Sequence, residues 1–149
     1  MTAKEKLESK NKDGKYICVG LDTDIEKIPE HLKQSENPVL EFNKKIIEST
    51  GEHAAAYKLN FAFYEKNGSM GFDTLHETIK LIPQDVLVIA DAKRGDIGDT
   101  SQMYAKSVFE YLGCDACTVN PYMGEDSVAP FAAFTDKLIF VLALTSNPS

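Results

Sequence analysis

The stretch Val86-Leu-Val-Ile-Ala-Asp-Ala-Lys-Arg-Gly-Asp-Ile-Gly98 limits what this chain can become more than any other. It opens as a short apolar run, Val86 to Ile89, and closes as a knot of charge. Such a run reads as a β-strand buried on both faces, which belongs in a parallel sheet covered by helices. Side chains alternate along a strand. Leu87, Ile89, Asp91 and Lys93 are therefore expected on one face, and Val86, Val88 and Ala90 on the other. An acid and an amine then emerge side by side at the carboxyl end of a buried strand. Arg94-Gly95 turns the chain, and Asp96 is expected to bring a second carboxylate back to the same place. Gly98 with Asp99-Thr100-Ser101 reads as a strand-to-helix junction with N-capping residues.

A lysine between two carboxylates in a partly desolvated pocket must stay paired, because an isolated buried ion costs several kcal/mol. The plain alternative is a surface loop with ordinary salt bridges, since ion-pair networks can be structural. The functional alternative is an ammonium poised to deliver a proton, with carboxylates holding it in place.

The rest of the chain alternates strand and helix. Residues from Thr2 to about Gly14 read as an amphipathic helix and a turn. Tyr16 to Asp22 is the first strand, with Asp22 at its carboxyl end. Pro38 opens a helix at its favoured first position, and Thr50-Gly51 ends it. The second strand, Ala54 to Asn60, carries Lys58 and Asn60 on one face late in an apolar run. A helix from about Met70 to Leu81 follows, then the Val86 strand, then a helix from Thr100 to Leu112. Asp115 to Asn120 is the fourth strand, followed by a helix from about Ser127 to Phe134 that Pro130 is expected to kink or delay. Leu138 to Leu144 is the fifth strand and ends in Thr145-Ser146-Asn147-Pro148. Polar residues gather at strand carboxyl ends, the layout of βα units in a parallel sheet and of a (βα)8 barrel in particular. An open doubly wound sheet is the alternative, but no glycine-rich phosphate loop follows the first strand.

The 149 residues suffice for one domain. A net charge of -7 makes a general nucleic-acid surface an unsuitable reading, and an anionic substrate would need local cations. No apolar run approaches the ~18 residues of a membrane span, and the first ten residues lack the apolar core of a signal peptide. Cytoplasmic residence is the expectation. Cys18, Cys114 and Cys117 are an odd number on expected strands, so they are read as buried, inert thiols rather than a disulfide framework. His31, His53 and His76 are scattered without ligand spacing, and no structural metal is expected.

Asp91-Ala-Lys93-Arg-Gly-Asp96-Ile97-Gly98 resembles the signature of the orotidine 5′-phosphate decarboxylase family, and the flanking residues resemble its longer bacterial subgroup. The resemblance recurs strand by strand, through Asp22, the segment Lys58-Leu-Asn60-Phe-Ala-Phe-Tyr-Glu, and Val119-Asn-Pro-Tyr-Met-Gly124. It implies a (βα)8 TIM barrel in which residues 1–149 form one domain, supply about the first five βα units and lack the C-terminal part. A closed barrel takes eight strands and typically ~250 residues.

The implied reaction converts orotidine 5′-phosphate to uridine 5′-phosphate and carbon dioxide, in the last step of pyrimidine nucleotide synthesis, with neither cofactor nor metal. By the resemblance, Lys93 protonates C6, Asp91 and Asp96 are the flanking acids, and Lys58 completes an alternating row with Asp22 and Asp91. Asp22 is implied to contact the ribose hydroxyls and Asn60 and Ile97 to contact substrate nearby. Ser146, with Thr145, is implied to hydrogen-bond the pyrimidine. Asp96 and Thr100 are implied to enter the neighbouring subunit's site, so the expected unit is a homodimer with shared sites. A sister group sharing Asp-x-Lys-x-x-Asp uses magnesium to decarboxylate or condense sugar phosphates. Its second-strand acid is replaced here by Lys58, which would repel a cation. A third possibility is a non-catalytic half-barrel that needs a partner chain. Plainer roles stay open for single residues: Asp22 and Thr100 as caps, Asn60 satisfying backbone groups, Ser146 as a turn residue.

Overall fold

The computed structural model describes residues 1–148. Its frame is a five-stranded parallel sheet made of β1 (Ile17–Gly20), β2 (Ala54–Asn60), β3 (Leu87–Arg94), β4 (Ala116–Val119) and β5 (Leu138–Val141). The strands lie in sequence order, β1-β2-β3-β4-β5, and every neighbouring pair is parallel. A doubly wound sheet reverses direction at a switch point, so this order excludes it. Right-handed crossovers that always advance the same way place all crossover helices on one face. That is the winding of a barrel wall.

The helices are α1 (Ala3–Lys12), α2 (Pro38–Thr50), α3 (Phe61–Glu65), α4 (Gly68–Leu81), α5 (Gly98–Lys106) and α6 (Glu125–Ala132). Asn37 caps α2 with Pro38 in its first turn, as the sequence predicts. The larger core lies between the sheet and these helices and includes Tyr57, Leu59, Val86, Val88, Ala90, Cys117 and Val119 from the strands. A smaller cluster occupies the opposite, inner face: Ala56, Leu87, Ile89 and Ala116, with Leu138 against them. Val86, Leu87, Val88 and Ile89 are all buried, so β3 is covered on both faces as expected. Burying a leucine or isoleucine stabilises by about 1.5–3 kcal/mol, which makes this strand the anchor of both layers.

Helix α1 closes the amino end of the inner face. Ala3 joins the inner cluster, and its N–H donates to the Asp136 carbonyl at 2.9 Å. Lys6 donates to Asp115 at 2.8 Å, and Lys10 to Asp85 at 2.5 Å. A capping box between Thr2 and Glu5 starts the helix. The inner face is thus apolar at the strand starts and left for polar residues at the strand ends.

Several boundaries differ from the expectations. The fifth strand ends at Val141 rather than Leu144, because it is an edge strand with a partner on one side only. The helix after β3 starts at Gly98 rather than Thr100 and continues past Lys106 as a π-helical turn, Ser107–Tyr111. Its N-cap is Ile97, which makes no side-chain cap bond, so the capping role expected of Asp99, Thr100 and Ser101 is not used. Helix α6 runs from Glu125 through Pro130. Cys114 and Cys117 are buried free thiols as expected, but Cys18 is exposed because β1 is the other sheet edge. No helix among the described residues is long and apolar enough to cross a membrane.

Candidate active site

The polar residues converge at the carboxyl end of the inner face. The register pairs Gly20 with Lys58, Lys58 with Ile89, and Asn60 with Asp91. Parallel strands in this stagger bring residues from three successive strand ends to one level. The Lys58 ammonium lies 3.3 Å from Asp22 Oδ2 and 3.3 Å from Asp91 Oδ2. The Lys93 ammonium donates to the other Asp91 oxygen, Oδ1, at 2.6 Å. The result is one row of alternating charge, Asp22–Lys58–Asp91–Lys93. Exposure is lowest inside the row and highest at one end: the Asp91 side chain is 10% exposed, against 33% for Lys58, 34% for Asp22 and 49% for Lys93. The buried carboxylate anchors the row, and the Lys93 amine is its solvent-facing end.

Burial by itself would raise the Asp91 carboxyl. Hydrogen bonds from Lys93 and Thr118 and the charges of Lys58 and Lys93 outweigh burial, and the carboxyl lies below its ordinary value. Burial likewise opposes the Lys58 charge, but Asp22 and Asp91 outweigh it and raise that amine. Each group keeps its partner ionised.

Lys93 reaches Asp91 by a route that simple alternation does not contain. Ala90 pairs with Cys117 and Arg94 with Val119, so Asp91, Ala92 and Lys93 all stand opposite the single residue Thr118. This is a bulge, a device that re-aims a side chain. Lys93 has φ +48°, in the left-handed region, and is the one non-glycine with positive φ among the described residues. Such a conformation costs about 1–3 kcal/mol and persists only where the surroundings impose it. Thr118 imposes it here: its hydroxyl accepts the Lys93 backbone N–H at 2.9 Å and donates to Asp91 Oδ1 at 3.0 Å. Gly95 follows, and a Cβ there would stand 2.4 Å from the Asn120 carbonyl oxygen, so only glycine fits this close approach.

Asp22 also accepts the Asn60 backbone N–H at 3.1 Å. The Asn60 side-chain oxygen caps α3 by accepting from Ala62 at 3.2 Å, which is the plainer role left open for it. Asp96 departs from expectation. Its carboxylate accepts the neighbouring Ile97 N–H at 2.8 Å and pairs with no lysine among the described residues. The bulge and the tight Gly95 turn lie between it and the row, and among the described residues Asp91 is the carboxylate that pairs with the Lys93 ammonium. Ile97 and Thr100 are exposed at the start of α5. Thr145 and Ser146 lie beyond β5, where Thr145 bonds to Asn147, and neither touches the row among the described residues.

Two supports were missed by sequence reasoning. Thr118 is one; its signal was the alternation of Ala116 and Thr118 on the inner face of the fourth strand. The other is a buried network behind Asp22. Thr23 donates to Asn43 at 2.5 Å, Asn43 to Tyr64 at 3.0 Å, and Tyr64 to the Leu21 carbonyl at 2.7 Å. It grips both neighbours of Asp22 from the helix side. A polar asparagine within the apolar stripe of α2 was its signal.

A family model described as orotidine 5′-phosphate decarboxylase / HUMPS family matches residues 15–149. The chain is 52% identical to the orotidine 5′-phosphate decarboxylase of Porphyromonas gingivalis over 99% of its own length and 54% of the relative's. It is 53% identical to that of Christiangramia forsetii, covering 99% of this chain and 55% of the relative. The structure of the OMP decarboxylase of Leishmania donovani superposes with a TM-score of 0.88 at 41% identity, covering 99% of this chain and 56% of that one. The chain therefore spans about half the length of the curated relatives it matches. With the charged row at the strand ends and a family match over nearly its whole length, the chain belongs to the orotidine 5′-phosphate decarboxylase / HUMPS family.

Proposed function

We propose that these residues form the front part of an orotidine 5′-phosphate decarboxylase, which converts orotidine 5′-phosphate to uridine 5′-phosphate and carbon dioxide for pyrimidine nucleotide synthesis. The observation that carries this reading is the ordered row Asp22–Lys58–Asp91–Lys93, with its outermost ammonium on the open inner face.

The chemistry needs such an ammonium. As the C6–carboxylate bond breaks, its electron pair stays on C6. A cation already in place stabilises that charge without reorganising, and preorganisation of this kind is a large catalytic effect. Lys93 then transfers a proton from Nζ to C6 and recovers one from solvent. Asp91 aims the Lys93 ammonium, and Lys58 neutralises the far side of Asp91. Asp22 takes the ribose hydroxyls; Asn60, whose oxygen is engaged with α3, offers its Nδ2 donors. Thr145 and Ser146 bond the pyrimidine, and Ile97 packs nearby. Asp96, turned from its own row, and the exposed Thr100 serve the site of a second copy, so the working unit is a cytoplasmic homodimer with shared sites.

No cofactor has a role in this reaction. A magnesium-dependent sugar-phosphate enzyme of the same superfamily is disfavoured because the Lys58 ammonium already occupies the place between the carboxylates of Asp22 and Asp91. The remaining strands of the eight-stranded barrel come from further residues or from another chain. A non-catalytic half-barrel is the competing reading, and the exposed Ile17, Phe140 and Val141 at the two sheet edges are what favour it. The test is to follow loss of orotidylate absorbance with the complete natural polypeptide, with and without a chelator. Equal turnover in both supports the proposal; no turnover supports the half-barrel, and turnover abolished by chelation supports the metal enzyme.

A further inference from the structure

Thr118 sits at the one point where the proposed proton donor is held at both ends. Three β3 residues face one β4 residue there, so the Lys93 N–H meets a side-chain oxygen in place of a ladder carbonyl. A hydroxyl has one proton to give. Since Oγ1 accepts from the Lys93 N–H, that proton goes to Asp91 Oδ1, 3.0 Å away. The same carboxylate oxygen receives the Lys93 ammonium at 2.6 Å. The chain of bonds closes on itself, from Lys93 backbone through Thr118 and Asp91 to the Lys93 amine. Bonds in series polarise one another.

We infer that Thr118 is a positioning residue for decarboxylation: its hydroxyl holds the left-handed Lys93 backbone and the Asp91 carboxylate in register, and so fixes the direction of the Lys93 ammonium. This rests on the proposed reaction. Thr118 bonds the Lys93 backbone N–H and the Asp91 carboxylate, not the Lys93 ammonium, so it acts through them. Without its hydroxyl, the Lys93 N–H has no acceptor, and Asp91 is free to rotate with the amine attached. Substrate binding, which draws on other groups, is left largely intact.

Thr118→Val removes the hydroxyl and keeps the shape; Thr118→Ser keeps the hydroxyl and removes the methyl. In the complete natural polypeptide, T118V is expected to lower kcat about 10- to 100-fold, the worth of one hydrogen bond to a charged group, with KM within about threefold. T118S is expected to restore kcat. The Lys93 amide should exchange with solvent at least about tenfold faster in T118V, a readout that needs no turnover. Unchanged kcat in T118V, a loss confined to KM, unchanged Lys93 exchange, or failure of serine to restore would each overturn the inference. If T118V does not fold, T118S alone decides, because an inactive folded T118S contradicts a role assigned to the hydroxyl. An inactive wild type would instead refute the proposed reaction, while the exchange measurement still reports on the Thr118 bond.

Discussion

Asp91 receives two ammonium groups and a hydroxyl, and its ionisation governs the row. A carboxyl depressed in the folded state adds stability that is complete above its unfolded value, about 3.9, and is lost as pH falls through the folded value. A raised amine such as Lys58 adds stability that is complete below its unfolded value, about 10.4, and is lost as pH rises through the folded value. The contribution of the row is therefore whole between those limits. The stability gap between wild type and Asp91→Asn, measured by denaturant titration, is expected to shrink as pH drops below about 4; a gap independent of pH contradicts the pairing. Gly95→Ala is expected to cost about 1–3 kcal/mol by overpacking against Asn120, read as a lowered denaturation midpoint. Lys58 and Asp91 were legible in the sequence because strand alternation and parallel stacking suffice to align them. Lys93 was expected on the same face for a simpler reason than the one found. A left-handed residue inside a bulge has no sequence signature in Asp-Ala-Lys-Arg, and a threonine in a strand reads as ordinary β-propensity. Asp96 was expected beside Lys93 and bonds the Ile97 N–H instead: the turn at Gly95 was legible, its direction was not.

Among the elements, β2 was legible to the residue, from Ala54 to Asn60. Its apolar run is long and its ends carry sharp polar marks. The short strands were legible only in outline, since β1 and β5 lie at the sheet edges, where half the ladder is missing. The change from α- to π-helical winding after Lys106 leaves no mark in composition. Helix α1 was read as amphipathic, but its function as a plug depends on partners distant in sequence. Asp115 shows why the plug matters: it accepts from Lys6 at 2.8 Å and from the Val88 N–H at 2.9 Å, tying α1 to the start of β3. Removing one member of a buried pair leaves the other charge uncompensated. Lys6→Met is thus expected to destabilise the protein by about 3 kcal/mol, measured by denaturant unfolding. Substitution without effect would mean that α1 is not a fixed part of the barrel floor.

At the scale of the molecule, the sequence-ordered parallel sheet fixes where chemistry can occur, because only the carboxyl ends of the strands are free of the α1 plug. The order of strands followed from alternating βα units; the two open edges follow from having five. Remote binding energy drives chemistry at the reacting centre, and this chain spans about half the length of its curated relatives. The 149 residues alone are accordingly expected to associate through β1 and β5 in sedimentation experiments and to turn over poorly, with activity recovered when the remaining strands are supplied. The proposed decarboxylation depends above all on the Lys93 ammonium as the proton donor to C6. The direct measurement is the decarboxylation rate of Lys93→Ala against wild type in the complete polypeptide, with substrate binding checked separately: loss of turnover with binding retained is the predicted result, and near-normal turnover would contradict it.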